Sequence, residues 1–452
     1  MESRTPHGPR GARLSRRTLM AGMLGIGAGA AGVTPVGNPA WAGNGQGKGR
    51  FDQPMTEYTS YQRLKDGKPN QVQLDAAPLE RGWSQVVSFT EPADGADHPL
   101  YVGGALLYGH QGCVVLRRAT GQSRKYANAD TLLPKHEWID ARTDTIYDMA
   151  SVSKLFTSIV VIQQVEAGRI DLDQRVAHYL PEFAAHGKEA VTVRMLLTHT
   201  SGFTSWISLY SQYPDIPSRI HAVLTQPLEN PPGSTYQYSD LNLITLGVLV
   251  EHVSGKGLAD LVAAGITEPL GMADTGYNPP ASKRRRIAAT EYQEVPDRGL
   301  VWGEVHDENA WSLGGVAGHA GIFSTLDDMA ILSQTMLNGG WYGDQRILAE
   351  ESVTAIITNE NQEFPGDAHG LGFELNQRWY MSGLTSIRTA GHTGFTGTSL
   401  VIDFNSASFV ILLTNRVHPS REWGSINPAR RSAADGMADA MSIKPDADGN
   451  SS

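Results

Sequence analysis

The sequence predicts an α/β (α+β) protein: an antiparallel sheet built from both chain ends and flanked by helices, with a mostly helical lobe inserted between its two halves. Three observations lead there. Short strand-type runs cluster near residues 100–117 and again near 370–413, helix-period segments fill the stretch between, and 452 residues at 40% hydrophobic and 19% charged are enough to bury a sizeable core.

The elements follow in order. Leu79 to Phe89 reads as a first helix. Leu100 to Leu107 and Gly112 to Arg117 are apolar runs split by Gly109-His110-Gln111, a β-hairpin pattern. Ser151 to Val165 is a long helix-period segment, stopped by Glu166-Ala167-Gly168. Helical signals continue at Arg194 to Leu197, Leu241 to Val253, Leu258 to Ala263 and Asp327 to Leu337. Strand signals return at Gly370 to Leu375, Ile387 to Ala390, Ser399 to Asp403 and Phe409 to Leu413, and Pro428 to Met441 reads as a closing helix. The expected division is a sheet lobe from about 79–150 and 340–442 with a helical lobe over about 151–339, the whole domain covering 79–450.

Upstream, Ser15-Arg16-Arg17-Thr18-Leu19-Met20 is a twin-arginine pattern, followed by a Gly/Ala-rich apolar run and Ala40-Trp41-Ala42. Residues 1–42 are therefore read as a cleaved twin-arginine signal peptide and 43–78 as a linker and irregular leader. The run from Leu19 to Val33 is too short and too rich in glycine to span a membrane stably, so no membrane span is expected after cleavage, and the protein is expected to be secreted, periplasmic or cell-wall associated. The net charge is −10, and the first 42 residues carry five arginines against one glutamate, so the remainder is near −14. A body that acidic repels phosphate backbones, which argues against nucleic acid as a partner. Cys113 is the single cysteine, which excludes an internal disulfide or a thiolate metal site; it reads as a small buried hydrophobe.

Three short boxes carry chemistry. In Ser151-Val152-Ser153-Lys154 a hydroxyl and an amine are three residues apart, on one face of a helix, with the serine at the helix start. A nucleophilic serine needs a proton acceptor and donors for the oxyanion it creates, and this placement offers both. A helix N-cap serine beside a solvated lysine is the plain alternative. Tyr236-Gln237-Tyr238-Ser239-Asp240 follows the turn Pro231-Pro232-Gly233 and precedes a helix; a tyrosine beside an ammonium group can act as a base, or Tyr238 can simply be buried with Asp240 as a cap. Gly391-His392-Thr393-Gly394-Phe395-Thr396-Gly397 lies on an expected strand, where small residues let a substrate backbone approach, or form a plain turn. The boxes stand about 87 and 154 residues apart, in the order Ser/Lys, Tyr, His-Thr-Gly.

That order and spacing resemble the penicillin-recognising serine hydrolases, nearest to the class C β-lactamase and D,D-peptidase branch, over about residues 80 to 440. Leu196-Leu197-Thr198-His199-Thr200-Ser201-Gly202-Phe203 and Gly314-Gly315-Val316-Ala317-Gly318-His319-Ala320-Gly321 look like the same group, while Val305-His306-Asp307-Glu308-Asn309-Ala310 and Asn415-Arg416-Val417-His418-Pro419 look more like its exported cell-wall amidases and esterases. The resemblance implies that Ser151 is the acylated nucleophile, Lys154 its proton partner, and Tyr238 part of the base system. It also implies that the N–H groups of Ser151 and Phe395 form the oxyanion hole, that Asp240, His392, Thr393 and Gly394 line the substrate site, and that no cofactor or metal takes part.

Two positions depart from the family pattern: Asp240 stands where asparagine is usual, and His392 where lysine is usual. A carboxylate beside Lys154 favours its ammonium form, and a histidine is charged only part of the time near neutral pH. If protonated His392 held a substrate carboxylate, activity would fall as pH rises through its titration. Both changes weaken the case for efficient β-lactam hydrolysis and leave a peptidase, amidase or esterase reading open. His306, Asp307 and His319 invite a metal reading or a cleft-lining one; Trp206, Tyr210 and Tyr213 suit either a cleft wall or the core; Arg284-Arg285-Arg286 reads as a solvated loop. The functional expectation is an exported serine hydrolase acting through an acyl-enzyme on a small-molecule peptide, muropeptide, β-lactam or ester. The competing expectation is a catalytically weak sensor of cell-wall fragments or penicillins. An unrelated α/β-hydrolase is disfavoured by the missing G-x-S-x-G elbow.

Overall fold

The computed structural model describes residues 58–60 and 63–442. The twin-arginine pattern, the Ala40-Trp41-Ala42 site and the Gly-rich stretch after it lie outside the described residues. No helix among the described residues is long and apolar enough to cross a membrane.

One eight-stranded sheet organises the molecule. From the N-terminal side come β1 (Lys65–Asp66), helix α1 (Ala76–Ser88), β2 (Gly103–His110) and β3 (Cys113–Arg124). The middle of the chain supplies α2 (Ser153–Glu166), α3 (Asp240–Ser254) and α4 (Leu326–Leu337). The C-terminal part returns with β4 (Glu374–Leu375), β5 (Thr389–Thr393), β6 (Ser399–Asp403), β7 (Ser408–Thr414) and α5 (Asn427–Ser442). The strand order is β1-β3-β2-β7-β6-β5-β4, with a short Ile139–Asp140 strand added to β3. Antiparallel pairing of β2 with β7, Leu107 opposite Ile411, joins the two chain ends. Among the described strands of this sheet, β1 alone runs parallel to its neighbour.

The period-2 alternation of β2 explains why the sheet is buried on both faces. Ala105 and Leu107 enter one core with α2, α3 and α4; Leu106 and Tyr108 enter a second core with Leu79 and Val86 of α1 and Ala433 and Met437 of α5. The hairpin turn falls at Gln111 and Gly112, whose φ values of 47° and 78° suit a two-residue primed turn. Helix starts follow local capping chemistry: the Asp75, Ser239 and Thr325 side chains accept from the first-turn amides of α1, α3 and α4.

Three readings shift. The leader before residue 79 is not all irregular, since Lys65–Asp66 is a sheet strand and Val72 and Leu74 are buried. Within Gly370 to Leu375 only Glu374–Leu375 pairs as strand, because Gly372 turns at φ 89° and Gly370 packs against the Ile356 carbonyl. Cys113 is free and half-buried, at the edge of the second core.

Helices α1 and α5 cross at Gly82 and Gly436. A Cβ on Gly82 would overlap the Tyr108 hydroxyl and stand 3.2 Å from the Gly436 Cα. Gly82→Val is expected to lower stability by ~1–3 kcal/mol through overpacking, read as a lower urea midpoint at unchanged slope. An unchanged midpoint would show that the crossing has slack.

Candidate active site

Ser151 does not begin the helix. It sits in a 3₁₀ turn, Ala150–Val152, that leads into α2 at Ser153. Ala150 before it has φ 46°, a strained value for a residue with a Cβ. Several bonds hold that strain. The Asp148 carboxylate accepts from the Ala150 amide at 2.8 Å and the His306 amide at 2.6 Å. The Thr396 and Thr398 hydroxyls donate to the carbonyls of Asp148 and Met149 at 2.7 and 3.0 Å. The turn that carries Ser151 is thus tied to the third box.

One helical turn on, Lys154 is 1% exposed. Its Nζ lies 2.8 Å from Ser151 Oγ, 2.7 Å from Asp240 Oδ1 and 3.1 Å from the His319 carbonyl. The Tyr238 ring centroid is 4.9 Å from the same ammonium. Hydroxyl, amine and phenol therefore meet at one place, although their boxes lie on separate elements. Asp240 is the first residue of α3, so helix geometry aims it at Lys154 while the preceding Ser239 caps the helix and Tyr238 stays on the approach loop.

Charge in this cluster is well defined. Burial alone would push the Lys154 ammonium down; Asp240 and Tyr238 beside it more than reverse this, so its pKa is raised. Burial pushes the Tyr238 phenol up to about 12, against the pull of Lys154. The resting pair is an ammonium and a neutral phenol.

Phe395 follows β5 in the turn Gly394–Gly397. The amides of Ser151 and Phe395 donate to no other group of the described residues, which leaves both for an incoming oxyanion. Gly394 has to be glycine, because a Cβ there would overlap the Thr398 hydroxyl and the Met149 carbonyl. Arg430 of α5 fixes the turn by donating to the Gly394 and Thr398 carbonyls at 2.8 and 3.0 Å. The Phe395 ring is flanked by the His306 ring at 5.7 Å and the Arg416 guanidinium at 4.6 Å. His306 and Arg421 bond to Glu291, whose carboxyl they hold down at about 2 despite its burial.

His392 is on β5 beside Tyr238, ring centroids 6.1 Å apart, and Thr393 is half-buried next to it. His392 is 1% exposed, and its Nδ1 donates to the Thr393 carbonyl at 2.8 Å. Burial, then Lys154, depress its pKa well below the usual histidine value. A protonated His392 as the carboxylate receptor is therefore corrected: its Nε2 is a neutral lone pair with no partner among the described residues. His199 against Tyr238, and His369 against His199, are likewise kept neutral by burial, His369 at about 4.

His306 faces Glu291 rather than joining a metal cluster. Ligand atoms of Asp240, Asp307 and His319 do lie within 4.8 Å of one another. They already have partners: Lys154 supplies the cation to Asp240, and His319 Nε2 binds Asp307 Oδ1 at 2.9 Å. Burial raises the Asp307 pKa but His319 more than offsets it, so the pair is a settled dyad one carbonyl from Lys154. Trp206 and Tyr210 are half-buried, 6.5 Å apart, next to Ser205, whose carbonyl receives the Asp240 amide. Tyr213 packs on the core instead.

Sequence reasoning did not assign Asp148, Arg416 or Arg430. Asp148 and Arg430 act through backbone groups that only the fold brings near, and Arg416, although in the Asn415–Pro419 stretch, gains its place only by stacking on Phe395.

A half-buried serine and tyrosine on a buried lysine, with two free amides beside an antiparallel sheet, define a serine hydrolase. The chain belongs to the Beta-lactamase family, whose model matches residues 95–435. A relative from Escherichia coli (strain K12), named "Putative D-alanyl-D-alanine carboxypeptidase", is 36% identical over 338 residues, 68% of this chain and 76% of that one. A penicillin-binding protein homolog from Caulobacter crescentus shares the fold at TM-score 0.62 and 19% identity, covering 80% of this chain and 98% of its own. A family VIII carboxylesterase does so at TM-score 0.60 and 22% identity, covering 81% and 98%.

Proposed function

We propose that this chain is an exported serine acyl hydrolase that opens an amide or ester bond of peptidoglycan-derived substrates through an acyl-enzyme on Ser151. The observation that carries it is the 2.8 Å contact between Lys154 Nζ and Ser151 Oγ beneath two uncommitted amides. The name of the Escherichia coli relative supports a D-alanyl-D-alanine-type substrate, and the twin-arginine pattern supports export to where such substrates are.

The chemistry runs as follows. Once the Tyr238–Lys154 pair has given up one proton to solvent, Ser151 Oγ attacks the scissile carbonyl and its own proton passes into that pair. The oxyanion is held by the Ser151 and Phe395 amides, and the pair returns the proton to the leaving amine or alkoxide. Water then repeats the sequence on the acyl-enzyme. With His392 neutral, the cation available to a substrate carboxylate is Arg416, which forms no ion pair among the described residues and stacks on Phe395.

The test is direct. The mature enzyme is incubated with muropeptides, a D-Ala-D-Ala peptide, nitrocefin and short esters, and products are read by mass spectrometry. Release of D-alanine or an equivalent fragment is expected, with nitrocefin turned over poorly; hydrolysis of nitrocefin alone would overturn the peptidoglycan assignment.

A second reading, a weakly catalytic sensor, is favoured by one observation: the resting site holds an ammonium and a phenol rather than a free base. A pH profile separates the two. The base must lose its proton, and its pKa lies above neutrality. So log kcat/KM for a neutral ester is expected to rise with pH from 6 to 9, by up to one unit per pH unit. Asp240→Asn removes a carboxylate that raises both groups, so the limb should move to lower pH and activity at pH 7 should increase. A profile that falls from pH 6 to 8 would sink this account of the base.

A further inference from the structure

A second charged feature lies outside the catalytic cluster. Arg124 and Arg284 each hold their guanidinium carbon 4.6 Å from the ring centroid of Trp302. The two cations are therefore no farther apart than twice that distance, within the Debye length of about 10 Å at 0.1 M salt. Next to Arg124 on the chain, Lys125 places its Nζ 4.8 Å over the ring of Trp138. Arg285 follows Arg284 on the same exposed 3₁₀ turn.

Neighbouring cations are neutralised and these are not. Arg286 pairs with Asp274 and Asp144, and Lys283 with Asp274. Arg124, Lys125, Arg284 and Arg285 have no carboxylate partner among the described residues. Their mutual repulsion is felt: after burial, Arg284 and Arg285 are what lower the Arg124 pKa, with Glu137 opposing. The indole faces hold the cations in fixed positions by cation–π contact despite that repulsion. In a chain of net charge −10, three unpaired cations held on two tryptophans, with the exposed Arg285 next to them, run against the background.

We propose that this patch binds a linear polyanion, a chain carrying repeated phosphate or carboxylate groups. A single small anion could satisfy one guanidinium fork; cations spread over two rings suit charges repeated along a polymer. The site borders the loop of the catalytic cleft. The amides of Lys125 and Tyr126 donate to His418 Nε2 at 3.0 and 3.2 Å, and His418 lies two residues from Arg416, which stacks on Phe395. A polymer held there is presented to the Phe395 side of the cleft. The proposal does not depend on the substrate assignment above.

The experiment measures binding to the whole mature protein by calorimetry at low salt. The probes are short-chain polyphosphate, poly-L-glutamate, inorganic orthophosphate and vesicles containing phosphatidylglycerol. Polyphosphate, poly-L-glutamate or both are expected to bind at least ~10-fold tighter than orthophosphate and to weaken steeply with added salt, as release of counterions requires. Which polymer binds tells phosphate from carboxylate chemistry. The exposed double variant Arg284→Ser/Arg285→Ser should lose ~10-fold or more, while its turnover of a small neutral ester and its thermal midpoint stay as in wild type. Unchanged polymer binding in the double variant, equal binding of orthophosphate and polymers, or binding to vesicles without binding to polymers would each overturn the proposal.

Discussion

Ser151→Ala is expected to abolish covalent adducts and to lower kcat by ~10⁴-fold or more, because the step it removes is bond formation itself. Binding should survive. Ser151 Oγ accepts one hydrogen bond, from Lys154, and Lys154 keeps Asp240 and the His319 carbonyl when the hydroxyl is gone. The ammonium is not orphaned, so the thermal midpoint should move little. The residual rate should reflect the amides of Ser151 and Phe395, which the substitution leaves in place. Intact-protein mass spectrometry with a fluorophosphonate or a fluorescent penicillin, beside kcat and ligand affinity, checks all three. A variant that still turns over substrate within about tenfold of wild type would place the nucleophile elsewhere.

Much of this was legible in the sequence, for identifiable reasons. Residues three apart on a helical turn share a face, so Ser151 and Lys154 were readable once the tyrosine and His-Thr-Gly boxes stood in order behind them. The closing helix and strands β6 and β7 were readable because each is long, periodic and bounded by turn residues. The sheet shared by both chain ends followed from where those strands fell. What the sequence hid is mostly tertiary. Tyr147–Asp148, Gly276–Tyr277 and Ile322–Ser324 form a small sheet whose strands are too short to carry a period, yet it delivers the Asp148 carboxylate to the turn that carries Ser151. The strained φ at Ala150 has no compositional mark. The charge state of His392 depended on burial between Tyr238 and the strand, which removes the pH dependence its residue type suggested. The arginines around Trp302 read as a solvated loop because Arg124 and Arg284 are remote in the chain and meet only on that ring.

The second large effect is expected from Lys154→Met, and it should appear in both activity and stability. Methionine fills a similar volume but brings no charge to a position 1% exposed. Asp240 then faces the gap with no cation, and the nearby Asp307 adds a second carboxylate whose ligand atoms lie within 4.8 Å of those of Asp240. Removing one member of a buried ion pair costs ~3–5 kcal/mol, mainly through the charge left behind. The pH dependence gives this a sign. In wild type the raised Lys154 pKa means its contribution is complete below about 10.5 and is lost only as pH rises through the higher folded value, so the difference between the two proteins should be flat from pH 6 to 9. The double variant Lys154→Met/Asp240→Asn removes both charges and should recover much of the stability, while its catalytic activity stays ~10³-fold or more below wild type. Denaturant midpoints across pH together with kcat/KM separate the two roles. If the double variant is no more stable than Lys154→Met, the ion pair is not what organises the site; if Lys154→Met retains near-wild-type turnover, Tyr238 acts without the ammonium and the proton path drawn here is wrong.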